Sequence, residues 1–154
     1  MIRPSTATSD ATDDQPSTIR ALSFGVLTGL AVALVYGVLT EPIELTLGLL
    51  AIGFFGGWLI GAAVAYGAWS GREHQGVRRL QVTAAVIAIV AWFVAVFLAF
   101  AISQAFIQQA STTLAERVNL SGFLDYFGGL DDGVRFIHVL ALALMGFMAW
   151  RGAR

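Results

Sequence analysis

From about residue 80 to 107 the chain runs without a single charged side chain. As a helix rising roughly 1.5 Å per residue, that stretch exceeds the roughly 30 Å hydrocarbon core of a bilayer. Three more long apolar stretches, each charged only near its start, lie at about 19–39, 43–70 and 134–150. Only 12% of the residues are charged and 57% are hydrophobic, against about 25% charged in an ordinary soluble domain. These runs predict an all-α protein, a four-helix transmembrane bundle. The third span must tilt or project, and the fourth is the shortest.

The connections support these boundaries. Residues 1–18 are rich in Ser, Thr, Asp and Pro and read as a disordered tail ahead of the integral membrane domain 19–154. Asp10, Asp13 and Asp14 in that tail argue against a secretory leader, whose first region is basic. Pro42 ends the first span, and Ser70-Gly71 ends the second. In the longest connection, 108–133, apolar Leu114, Val118, Phe123, Leu124, Phe127 and Leu130 alternate with polar residues. That pattern predicts a short amphipathic surface segment. Thr113 and Glu116 have capping-box spacing, Gly128-Gly129 breaks the segment, and Asp131 or Asp132 caps the fourth span.

All nine basic residues are arginine. Arg3, Arg20, Arg72, Arg78, Arg79, Arg151 and Arg154 fall on one side of the predicted topology, and Arg117 and Arg135 on the other. Basic loops stay inside, so both termini are expected in the cytoplasm of a bacterial plasma membrane. Arg72, Arg78 and Arg79 form a basic cluster suited to setting topology and touching anionic lipid headgroups. The formal net charge of −1 gives no overall field for nucleic acid.

Two stripes of small residues recur at four-residue spacing. The first is Ala21, Gly25, Gly29, Ala33 and Gly37, and the second is Gly53, Gly57, Gly61 and Ala65. In lipid such stripes let helix backbones approach closely. They predict a tight hairpin in which the first two spans pack stripe to stripe, or one stripe facing a second copy of the chain.

The chemistry expected is sparse. There is no cysteine, so disulfides, thiolates and iron–sulfur clusters are excluded. No span interior carries Asp, Glu, Lys or Arg, which argues against proton-coupled pumps and voltage sensors. Catalytic and phosphate-loop motifs are missing. The expectation is therefore a protein that is not an enzyme, with no catalytic residues, cofactor or metal site. One polar grouping can be built near the outer interface, from Tyr36, Thr46, Ser103, Gln104 and His138. It reads as an interhelical clamp or as a pocket for a ligand or quinone headgroup, with axial cofactor ligation by His138 a third reading.

Three functions follow from this. The first is a structural, assembly or accessory subunit acting through helix packing, either as a homo-oligomer or within a larger membrane complex. The second is a transporter or channel-like protein for a small neutral solute, and the third is cofactor, lipid or quinone binding near His138.

Overall fold

A computed structural model describes residues 17–40, 46–69, 78–105 and 118–154. Five helices occur in them: α1 (Thr18–Thr40), α2 (Thr46–Trp69), α3 (Arg78–Ala105), α4 (Leu120–Gly129) and α5 (Asp132–Gly152). Four of these, α1, α2, α3 and α5, are long and apolar enough to cross a membrane. The capping-box pair Thr113 and Glu116, the basic residues Arg3, Arg72 and Arg117, and the tail as far as residue 16 lie outside the described residues. Thr18, expected in the tail, is already helical, and Ser17 N–H donates to the Ala68 carbonyl at 2.9 Å. At 28 residues α3 is the longest helix, and at 21 α5 is the shortest of the four.

The glycines set the helix order. A methyl group built on Gly53 would lie 3.1 Å from the Ala141 carbonyl oxygen. One on Gly57 would overlap the Met145 carbonyl, and one on Gly61 the Ala149 carbonyl. The two helices' numbers rise together in steps of four, so α2 and α5 run parallel with their backbones in contact. At this separation glycine Cα–H groups can reach carbonyl oxygens across the interface.

The expected stripe-to-stripe hairpin needs correction. The second stripe faces α5, and α1 packs on a different face of α2, where Gly56 meets Val32 and Gly67 meets the Arg20–Ala21 backbone. The first stripe turns mainly toward α3. A methyl on Gly29 would meet Ile87 and Ala91, and one on Gly37 would lie 2.8 Å from the Ala95 carbonyl oxygen. Gly25 sits between Val64 of α2 and Ile87 of α3. The physical reason is angular. Residues 53 and 56 are 300° apart on a helix, so α2 presents two adjacent small-residue faces and each receives a different neighbour.

The core is built from small side chains around a few large ones. Ala84, Ala88, Ala95, Ala141 and Ala149 are fully buried, with Tyr36, Ile60, Val64 and Met145 between them. Leu27, Leu30, Leu34, Phe55, Val90 and Phe136 point outward, as lipid-facing residues should.

Charge is segregated by end. Arg20, Arg78, Arg79, Arg151 and Arg154 lie at the end where α1 and α3 begin and α5 stops. Asp125, Asp131, Asp132 and Arg135 lie at the other end.

Candidate functional site

Tyr36 lies one turn from the end of α1, and His138 lies nearly two turns into α5. Both are buried, at 0% and 2% exposure. The Tyr36 hydroxyl and His138 Nδ1 are 3.1 Å apart, a hydrogen bond whose direction is set by the imidazole tautomer. His138 faces inward because it shares a helix face with Ala141, Met145 and Ala149, all buried against α2.

Aromatic rings complete the surroundings. Trp92 of α3 lies 6.4 Å from the His138 ring, and Phe127 of α4 lies 6.3 Å from it and 6.2 Å from Trp92. The Trp92 indole N–H adjoins the Tyr36 hydroxyl without hydrogen-bond geometry and is a buried donor with no partner. A buried unpaired donor costs about 1–3 kcal/mol.

The polar layer expected from the sequence is thus only partly assembled. Tyr36 and His138 meet. Ser103 instead donates to the Phe100 carbonyl of its own helix at 2.7 Å. Gln104 stands twelve residues beyond Trp92, about 18 Å along the axis. Because Trp92 is level with the His138 ring, Ser103 and Gln104 lie well outside that depth. Thr46 begins α2, and its side chain is outside the described residues. Trp92 and Phe127 are the members that sequence reasoning missed. Trp58, Phe93 and Phe97, the other mid-span aromatics, are 49%, 50% and 37% exposed, whereas Trp92 is 3% exposed. The available signal was Ala84, Ala88, Ala91, Ala95 and Ala99, an alanine stripe on α3 that runs past Trp92 and is buried with it.

α4 covers this cluster. Asn119 caps its start by accepting from Gly122 N–H at 2.7 Å. Phe123 packs on Phe97 and Phe100, and Tyr126 on Phe100. Ser121, Leu124 and Asp125 stay exposed. The carbonyls at the end of α4 are taken up by Arg135, whose guanidinium donates to Gly128 O at 2.6 Å and Leu130 O at 2.9 Å. Arg135 also pairs with Asp132 at 3.4 Å. Asp131, the neighbouring carboxylate, caps α5 by accepting from Gly133 N–H at 2.8 Å.

Arg135→Leu should therefore loosen α4 specifically. Amide exchange in residues 120–129 is expected to speed up by about tenfold to a hundredfold, the value of a charge-assisted hydrogen bond. The core of α2 should keep its protection. Unchanged exchange in α4 would show that its aromatic face alone holds it down.

Among the described residues no three His or acidic side chains converge on one point. No protein-family model, curated protein or solved structure matches this chain.

Proposed function

We propose that the chain is a structural or accessory component of a bacterial plasma membrane, working through helix packing, with the arginine-rich end in the cytoplasm. The observation that carries this reading is the closed core. Gln81 and His138 are the buried polar residues among those described. His138 is tied to Tyr36, and the remaining core is aliphatic, aromatic or small. A single copy of this bundle offers no polar route along its axis through the described residues. Permeation of a neutral solute would therefore have to run between copies.

Both small-residue stripes are occupied inside the chain, so assembly with other chains rests on the outer faces. Two apolar grooves flank α1 there. One, about 390 Å³, lies against α2 between Thr28, Val35, Phe55 and Leu59. The other, about 210 Å³, lies against α3 between Val26, Leu30, Val86 and Val90. A partner helix seated in either would extend the same mode of packing.

The test is gentle purification from native membranes with mass spectrometry of what accompanies the protein. A stoichiometric partner or a defined homo-oligomer is expected. A lone monomer that carries solute across reconstituted vesicles would sink the proposal and favour transport.

A second reading has its own observation, the unpartnered Trp92 donor beside Tyr36 and His138 under α4. It supports binding of a cofactor or a lipid-soluble headgroup such as a quinone. An absorption band in the purified protein that vanishes in His138→Ala would favour it.

A further inference from the structure

The parallel register of α2 and α5 fixes where α5 stops. Gly57 is level with Met145 and Gly61 with Ala149 to Ala153. Gly152, between the two arginines, lies against Trp58, Gly61 and Ala62 of α2. Arg151 and Arg154 therefore stop about two to three turns short of the end of α2 at Trp69, roughly 10–14 Å. These cations are held below the rim of the bundle.

Both arginines are exposed. The Arg154 guanidinium lies over the Trp150 ring, 4.4 Å from its centre. Trp150 in turn packs on Phe147, 6.3 Å away, and Phe147 is 53% exposed on the lipid-facing side. The α5 end therefore presents an aromatic step followed by two cations. Among the described residues every acidic side chain lies at the opposite end, so none of these neutralises the two guanidinium groups. A guanidinium held over an aromatic face keeps its N–H donors free for phosphate oxygens.

We propose that the recessed end of α5 binds the phosphodiester of an anionic phospholipid through Arg151 and Arg154, with an acyl chain lying along Trp150 and Phe147. This is independent of any partner or solute, and it places a lipid site away from the basic cluster at the start of α3.

The test uses the full chain in nanodiscs of phosphatidylcholine, alone or mixed with phosphatidylglycerol. Phosphatidylglycerol should raise the thermal midpoint and be retained above its bulk fraction in native mass spectrometry. The double variant Arg151→Gln/Arg154→Gln should lose the rise and retain phosphatidylglycerol roughly tenfold less or weaker still. Arg78→Gln/Arg79→Gln should keep most of both effects. Retention at the bulk ratio by the unaltered protein overturns the proposal, whether or not the double variant folds. So does an equal loss in the Arg78/Arg79 variant, which would mean a diffuse field in place of a site. Inorganic phosphate producing the same rise in pure phosphatidylcholine would assign the arginines to a free anion and overturn the lipid assignment.

Discussion

Gly57→Leu is expected to abolish the folded bundle. A first side-chain carbon at this position overlaps the Met145 carbonyl and lies 2.8 Å from the Met145 Cα. The obstacle is backbone, which no rotamer change removes, so α2 and α5 must separate. Their interface is built on the same approach at Gly53, Gly61 and Gly152, and separation at the middle of the row weakens every contact along it. Overpacking in cores costs about 1–3 kcal/mol when side chains can give way, and more when they cannot. Gly57→Leu should therefore fall at or above that upper figure, and even Gly57→Ala should destabilise clearly. Gly128→Ala and Gly129→Ala provide the contrast, because nothing lies within 4 Å of a methyl at either position. Thermal unfolding in mild detergent, followed by circular dichroism, measures all four. If Gly57→Leu melts with the unaltered protein, the α2–α5 contact is not what holds the bundle together. Because this stripe is filled from within the chain, the same variant should lose its fold before it loses any partner.

The second large effect is expected at His138. His138→Ala removes a ring that is 2% exposed, leaves a cavity, and strands the Tyr36 hydroxyl at 0% exposure. Truncating a large buried side chain costs about 2–5 kcal/mol. Orphaning the hydroxyl adds about 1–3 kcal/mol in a protein interior. Tyr36→Phe should be milder, because it keeps the ring and creates no cavity; it costs the hydrogen bond to His138 Nδ1, worth about 0.6–2 kcal/mol between membrane helices. The double variant Tyr36→Phe/His138→Ala should be less destabilised than the sum of the singles, since the stranded hydroxyl is gone. Additive losses would mean that the 3.1 Å contact contributes nothing beyond packing.

These two expectations also mark what the sequence made legible. Runs free of charge are set by the thickness of lipid, so the four long helices could be read to within a few residues, and the cap of the last was narrowed to Asp131 or Asp132. Spacing also identified Gly25, Gly29, Gly37, Gly53, Gly57 and Gly61 as packing positions, and each meets a neighbouring helix. The neighbour could not be read. A stripe states that something comes close, while the choice between α1 and α5 depends on angles between helices that periodicity does not carry. Ser103 and Gln104 stand apart from the Tyr36–His138 pair for a related reason. Counting one turn from each predicted helix end put Ser103 and Gln104 at the depth of His138. That count assumes helices of equal reach, and α3 runs 28 residues against 23 for α1. The true third neighbour, Trp92, lies deep in its helix, and its partner Phe127 comes from a segment whose depth depends on tertiary contact.

The pairing of α2 with α5 has a consequence for how the protein is made. Spans enter the bilayer in the order in which they are synthesised, and α3 comes between these two. The Gly53–Gly57–Gly61 groove of α2 therefore waits, facing acyl chains, until the last helix arrives and docks beside it in the same direction. A nascent chain that has emerged only through α3 is an incomplete product with an open, backbone-deep slot. The membrane insertion machinery, or another chain at the same stage, is the first thing that slot meets. Biogenesis of this bundle is thus a race between its own fifth helix and any neighbour with small residues every fourth position.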